Sequence, residues 1–568
     1  MLLICIITAA LLTLVYLYRL VWYKRFAQYA NFPQLPSSLV LGHLKTYNEI
    51  AESGPPDRDY DHIFSQIYEI LGKPPLVLID YRPICRPVLF IGSHEIAEQI
   101  SRPTKLFRTS VPKVDLGYME PIIGRTSILS AEGEEWKTLR RTFSPWFSRH
   151  HLMTLLPPIV DKTMTFVRHL DRLSITGEEA SLMSLIMKLM YDIIGSAILD
   201  VDLNAQHVDP SQRGDAVHAF AELLDAYWDD KIHLPWWCKL PSELKRRQLG
   251  RRVDRALRTI ILCKHEERQQ QQQHWNGDEG EKGKKTQINS PRGIISLILQ
   301  DTDIQYPLPQ DVLDWTCDQL KTFLLGGHDS PSATLAWAFY ELSRTPRAML
   351  AVSAELDALF GTGTDANAVC SRMASSEGPD LLSRMSYITA VLRETIRLHT
   401  PASTARYAPS GSGLIVTTPT GDELCLDDLI IYNCNSIIHR DPAVFGESAN
   451  TFMPERWLKQ SHNSNSKTTI PPSAWRPFER GPRACIGQEF ASIEMRVIIA
   501  AVARQFEFTK IGLGEIALDT RTGSPMLGQD GQFVVKSQVY NTRQITARPV
   551  DDMVVKVRRV KCNNVQLY

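Results

Sequence analysis

The stretch FERGPRACIG, Phe478 to Gly487, sets one cysteine in a frame of phenylalanine, arginine and two glycines. A lone cysteine is ordinarily a small buried hydrophobe. As a thiolate it becomes a nucleophile or metal ligand, and thiolates form where cations or helix N-termini face the sulfur. The following QEFASIEMRVIIAAVARQF carries apolar residues at Phe490, Ile493, Val497, Ala500 and Ala501. That spacing predicts a helix beginning at the cysteine, with its positive end favouring an anion there. Three more constellations could do chemistry. Asp329 and Ser330, in LLGGHDSPSATLAW, place an acid beside an alcohol. Glu394 and Arg397 of RETIR, and Trp136 and Arg140 of EEWKTLRR, are spaced to share one helix face each. Taken singly, such charge pairs are solvated salt bridges worth little.

Phe478, Gly481, Arg483, Cys485 and Gly487 complete the pattern F-x-x-G-x-R-x-C-x-G. In this the chain resembles the cytochrome P450 superfamily, whose haem-binding loop has that form. The resemblance implies that Cys485 is the axial iron ligand of haem b, a thiolate that pushes electron density toward O–O cleavage. It implies that Gly481 and Gly487 let the loop turn and aim N–H groups at sulfur, that Phe478 shields the sulfur, and that Arg483 pairs with a haem propionate. Trp136, Arg140, Arg406 (in PASTARY) and His439 (in HRDP) match further propionate-contacting positions, although His439 equally reads as an ordinary strand-end histidine. Glu394 and Arg397 would join Arg456 of FMPERW in a buried structural network behind the haem. Asp329 and Ser330 match the family's proton-delivery pair, and Gly327 would leave room for O2 beside the iron. Two departures stand out here. Serine replaces the usual threonine, and Pro331 follows it inside a helical pattern, which predicts a kink.

The elements that must position these residues are mostly helices. Short β-rich pieces, PPLVLIDY and PVLFIG, precede Ala131, and helical patterns dominate after it. Leu182 to Leu199 is too apolar for a surface helix and reads as core. The fold class is therefore mainly α within an α+β plan, as the P450 resemblance also implies. Residues 45–568 form one catalytic domain, and 269–290, polar and charged, reads as a disordered insertion. Stretches around AFAELLDAYWDDKIHLPWWCKLP fall where the family places a lid, and Trp236 and Trp237 could touch a membrane. The substrate pocket should draw on 110–128, 320–330, 402–407 and 524–531.

Composition excludes several classes. Lys plus Arg and Asp plus Glu both number 63, which gives no argument for nucleic acid. The ten cysteines are scattered without a CxxC pair, so neither a disulfide framework nor a zinc site is indicated. The run LLICIITAALLTLVYLY, Leu2 to Tyr18, is uncharged and followed by Arg19, Lys24 and Arg25. At ~1.5 Å per residue it reaches roughly 26 Å, enough for a thin endoplasmic-reticulum bilayer. We read 1–22 as a membrane anchor with a cytosolic catalytic body, and 23–44, containing Pro33 and Pro36, as a stiff connector.

The reading is a membrane-anchored haem monooxygenase acting on a hydrophobic small molecule. Its electrons would come from NADPH through a separate NADPH–cytochrome P450 reductase, since no flavin- or NADPH-binding segment is visible and the chain ends soon after Cys485. Lys137 and Arg141 form either a reductase-docking patch or a solvated basic face. The phrasing FERGPRACIGQEFA is similar to that of fungal secondary-metabolism members. Two alternatives are an isomerase or dehydratase of the same fold, against which Asp329 and Ser330 argue, and a non-catalytic haem sensor.

Overall fold

The computed structural model describes residues 2–227, 236–277, 293–299, 307–458, 470–542 and 544–560. A 35-residue helix, Gln310–Arg344, runs through the core, with nearly every residue from Pro331 to Leu342 buried. From Ala333 to Leu342 its sequence is mostly apolar and buried throughout, so this half must be covered on every side. Helix Leu182–Ile194 supplies one cover and is itself buried over most of its length. The two helices meet at Gly327, where a Cβ would collide with Cδ1 of Ile194. Each fully buried leucine or isoleucine at such a contact stabilises by about 1.5–3 kcal/mol.

Pro331 does not break the long helix, which continues to Arg344. The proline gives up one backbone hydrogen bond, and the hydroxyls of Ser330, Ser332 and Thr334 donate to the carbonyls of Gly326, His328 and Ser330. These back-bonds satisfy carbonyls on the same turns, and the loss stays local. The lid stretch forms Asp215–Asp225 and the start of Trp236–Gly277. Residues 228–235 and the side chains of Trp236 and Trp237 lie outside what is described. Helix Trp236–Gly277 also contradicts part of the disordered reading of 269–290. Its first nine residues are helical because a glutamine run loses little rotamer freedom in a helix. The remainder, from 278, is not described.

The strands are segregated from the helices. A four-stranded sheet has the order Leu76–Ile79, Val88–Ile91, Ile430–Asn433, Thr404–Tyr407. The middle pair is parallel and the outer pairs antiparallel, with Arg406 opposite Ile431. A second sheet joins Glu179–Ser181, Val554–Arg559 and Phe506–Lys510. Helix Leu2–Trp22 has no buried residue, and the apolar stretch Leu2–Ala27 is long enough to cross a membrane. The stretch after it is no free spacer. Tyr29, Phe32 and Leu35 are buried, and Pro33 accepts a backbone hydrogen bond from Leu78 at 2.9 Å.

Candidate active site

The cysteine loop is held at both ends. The N–H of Cys485 donates to the carbonyl of Phe478 at 2.8 Å. Gly481 has φ +74°, and a Cβ there would collide with the carbonyl oxygen of Ser101, so only glycine closes the turn. Gly487 differs from the expectation. Its φ is −83° and it is the N-cap of helix Gln488–Val502, so its use is space and not turning. A Cβ there would meet only Sγ of Cys485, at 3.9 Å. Cys485 lies deep in the protein and turns its accessible face to a cavity of about 1830 Å³. Burial pushes its thiol up, against the N–H groups of Gly487 and Gln488 and the cations Arg140 and Lys113, which favour the thiolate. Phe478 lines the same cavity.

Around this loop the structure gathers cations. Trp136 and Arg140 line the cavity, with Arg140 donating to the carbonyl of Ala484 at 2.8 Å. Arg406 is 1% exposed, yet its Nε and Nη2 have no hydrogen-bond partner among the described residues. Lys113, which carried no signal in the sequence, lines the cavity and pairs in register with Arg406. Burial, with Arg483 and Arg406 nearby, pushes its ammonium down to about 7. Arg483 lines the cavity as well and is also engaged by protein groups. It donates to Glu132 at 3.0 Å and to the carbonyl of Ala131 at 2.8 Å, and its guanidinium lies 4.8 Å from the Trp136 ring centroid. Glu132 supplies the anion that Arg483 needs, and its other contact is the Lys113 N–H.

His439 is corrected more fully. It is fully buried and does not line the cavity. Its Nε2 accepts the N–H of Arg476 at 3.0 Å, which puts the proton on Nδ1, facing Thr400 Oγ1 at 3.0 Å. Both nitrogens are spent on clipping two segments together. Burial, then Arg397 and Arg476, push its pKa down to about 3. An unfolded histidine titrates near 6.5. Between those values the unfolded chain binds a proton that the folded chain refuses. Stability is therefore full above pH ~6.5 and falls on acidification by up to about 1.4 kcal/mol per pH unit for this group. Urea denaturation at pH 7, 6 and 5 checks this: His439→Gln should flatten the slope, and an equal slope in both proteins would refute it.

On the long helix, Ser330 and Asp329 separate. Ser330 lines the cavity and donates to the carbonyl of Gly326 at 2.9 Å. Asp329 is 1% exposed, turned toward Arg548 at 3.7 Å, and neither carboxylate oxygen accepts a hydrogen bond among the described residues. Adjacent helical residues point about 100° apart, and here that turn puts Ser330 on the cavity wall and aims Asp329 at Arg548. The open space belongs to Gly326, where a Cβ would meet nothing within 4 Å, whereas Gly327 is taken up by the contact with Ile194.

Glu394, Arg397 and Arg456 come together in one buried network. Arg397 and Glu394 make a bidentate pair at 2.8 and 2.9 Å with both side chains 0% exposed. Arg456 Nε donates to Glu394 at 2.9 Å, as do the indole N–H of Trp457 and the N–H of Met453. Arg397 also donates to the carbonyls of His439, Ala449 and Thr451. Two partners were not legible beforehand. Arg393 lies between the rings of Trp457 and Trp475, at 4.5 and 4.7 Å, and Trp475 makes an edge contact with Phe478. The rest of the pocket wall includes Val114, Met119, Thr322 and Ala405, as anticipated. Its C-terminal contribution comes from 538–547 and Gln532, not 524–531, because the latter folds into an exposed hairpin.

These residues fit haem b. A buried arginine with open donors, a lysine beside it and a glycine-edged space over the sulfur are what a dianionic, planar iron-porphyrin requires. The cavity also exceeds the usual ligand pocket of about 300–1,000 Å³, leaving room for a second molecule.

The comparisons agree with this geometry. The chain is 27% identical over 509 residues to the cytochrome P450 monooxygenase polC of Polytolypa hystricis, covering 86% of this chain and 84% of that protein. It is 29% identical over 460 residues to the cytochrome P450 monooxygenase acrF of Aspergillus aculeatus, covering 76% and 83%. A bifunctional cytochrome P450/NADPH–P450 reductase of Gibberella moniliformis is 25% identical over 80% of this chain and 37% of its own length. The crystal structure of the cytochrome P450DA heme domain superposes with a TM-score of 0.67 at 17% identity, over 94% of this chain and 98% of that one. With the Cytochrome P450 family model matching residues 61–529 as well, the chain belongs to the cytochrome P450 family.

Proposed function

We propose that this P450 is a membrane-bound monooxygenase that transfers one oxygen atom of O2 to a hydrophobic small molecule, with two electrons from NADPH delivered by a separate reductase. The observation that carries this reading is that Cys485 and Ser330 line one and the same large cavity. When bound, haem b supplies the iron at which O2 is activated. Cys485 would ligate that iron, and Arg406, Lys113, Arg140 and Trp136 would meet its propionates. Gly487 would leave room over the sulfur. Ser330 would hold a proton at Oγ on the oxygen side, and Asp329 would reach it only by turning away from Arg548. Glu394, Arg397 and Arg456 would keep the wall beneath rigid.

The reductase reading is supported by the relative that joins the two activities in one chain. Arg141 is exposed and free to face an acidic partner, while Lys137 is paired with Glu134. An exposed attraction of this kind weakens as salt rises. The location we assign is the endoplasmic-reticulum membrane, supported by the apolar helix Leu2–Trp22 and the basic residues after it. A secondary-metabolism substrate is supported by the relatives polC and acrF, both monooxygenases of fungal species.

Two measurements test this. Expression with a reductase should yield NADPH-dependent product, whereas turnover without NADPH would transfer the reading to an isomerase. Ser330→Ala should leave the ferrous–CO complex intact and divert electrons to peroxide, lowering the rate of product formation by about a hundredfold, the lower end of the usual contribution of a proton-transfer group. Unchanged coupling in that variant would remove Ser330 from the proton route.

A further inference from the structure

The positive flank of the apolar helix is not all solvent-facing. Helix Leu2–Trp22 passes into a turn of wider helix, Tyr23–Ala27, and Arg25 on that turn has a side chain only 6% exposed. Its Nη1 donates to Asp80 at 2.6 Å. Its Nε and Nη2 donate to the carbonyls of Leu39, Val40 and Arg82 at 3.1, 2.7 and 2.8 Å. Asp80 ends the strand Leu76–Ile79 and is itself 3% exposed at the side chain. Arg82 completes the clamp: it donates to Asp80 through two nitrogens, to Gln28 Oε1 at 3.1 Å and to the carbonyl of Lys24. Gly42, at φ +55°, sits so close that a Cβ would come within 2.6 Å of the Arg25 guanidinium. His43 Nδ1 accepts the N–H of Asp80 at 2.9 Å.

A basic residue placed only to mark the cytosolic side would lie among lipid headgroups. This one is spent on four hydrogen-bonded groups of two separate segments. Asp80 accepts from Arg25 at one carboxylate oxygen and from Arg82 at both, so a buried carboxylate held from two sides makes the turn below the apolar helix and the edge of the four-stranded sheet move as one piece. The same clamp fixes two loop tips around the foot of the helix. Val40 and Leu41 are 71% and 45% exposed in the turn closed by Ser38 and Gly42, and Ile84 is 42% exposed in the turn after Arg82. Apolar side chains left in water beside an apolar helix have one partner of matching chemistry within reach, the acyl boundary of the same bilayer.

We propose that Arg25, Asp80 and Arg82 form a latch that fixes the tilt of the catalytic body on the bilayer and seats Val40, Leu41 and Ile84 in its surface as a second lipid contact. The anchor is thus a rigid stem, and the body does not swing on a tether. This rests on the helix spanning a bilayer, and the experiment separates the two claims.

Full-length haem-loaded protein is placed in oriented bilayers of phosphatidylcholine with phosphatidylserine, and the haem tilt is read by polarised absorption. A fluorophore on Val40→Cys or Ile84→Cys, in a background with Cys5, Cys263 and Cys425 replaced by serine, is exposed to nitroxide-bearing lipid. The latch predicts one narrow tilt, and at least twofold quenching at both labels. Arg25→Met should broaden the tilt and reduce the quenching at least twofold, while the ferrous–CO spectrum stays unchanged. Inserting Gly-Ser-Gly-Ser after Trp22, which leaves the clamp whole but uncouples it from the helix, should broaden the tilt equally. No partition into the vesicles would overturn the anchor, and the latch with it. Partition with the same tilt distribution in wild type and Arg25→Met would overturn the latch alone, and unquenched labels would overturn the lipid contact.

Discussion

Cys485→Ser is expected to abolish both turnover and the red-shifted ferrous–CO band while leaving the fold intact. The exchange removes one polarisable atom and little volume. The backbone bond from residue 485 to Phe478, at 2.8 Å, does not involve the side chain, and the helix from Gln488 keeps its N-terminus. What is lost is the anion. Two backbone N–H groups and the cations Arg140 and Lys113 favour the thiolate against the burial that pushes the thiol up, but an aliphatic hydroxyl starts several units higher and stays protonated. Without an anionic donor the iron loses the electron density that favours O–O cleavage. Haem content, circular dichroism and the CO-difference spectrum check this together. A native far-ultraviolet spectrum with no red-shifted band is the expected result. A serine variant that retained the band would show that another group ligates the iron and would dismantle the assignment of the site.

Glu394→Ala should be the most destabilising single change in the buried network. It deletes the acceptor of Arg397, Arg456, Trp457 and Met453 at once, and leaves the Arg397 guanidinium, 0% exposed, with carbonyl partners but no counter-charge. Breaking one member of a buried pair costs about 3–5 kcal/mol, which is a large share of a total stability of about 5–15 kcal/mol. The loss reaches the cysteine loop through Trp457, Arg393 and Trp475, whose last ring touches Phe478. Yield of haem-loaded protein should therefore fall with thermal stability. Glu394→Gln keeps two acceptor directions without the charge and should lie between. Melting temperatures of the three proteins decide the matter: equal values would mean that the charge is dispensable and the network is held by its backbone carbonyl contacts.

Some of this site could be read without coordinates, for a simple reason. Spacing along one helix sets which side chains share a face, so Glu394 with Arg397 and Trp136 beside Arg140 were legible from three- and four-residue intervals. The cysteine frame was legible because its requirements are local, a left-handed residue at Gly481 and a helix start directly after Gly487, whereas the use of Gly487 as space and not as a turn was not. The apolar run, too hydrophobic for a surface helix, likewise announced the buried helix at Leu182.

Partnership across the fold was not legible. Arg483 and Arg406 are both arginines near the cysteine, but Glu132 from a distant loop engages the first, while the second is buried with Nε and Nη2 left without a partner among the described residues. His439 and Lys113 exchanged roles for the same reason. One was enclosed by Thr400 and Arg476 and the other was carried to the cavity wall by the strand bearing Arg406. Asp329 and Ser330 are neighbours in sequence, and the turn of the helix sends one to Arg548 and the other to the cavity. Arg25 read as a headgroup charge until Asp80, 55 residues later, claimed it. Sequence by itself determined the family, the cysteine frame and the helix faces, because each depends on atoms a few residues apart. Tertiary structure alone decided which buried charge meets which, because that depends on where packing brings segments remote in the chain.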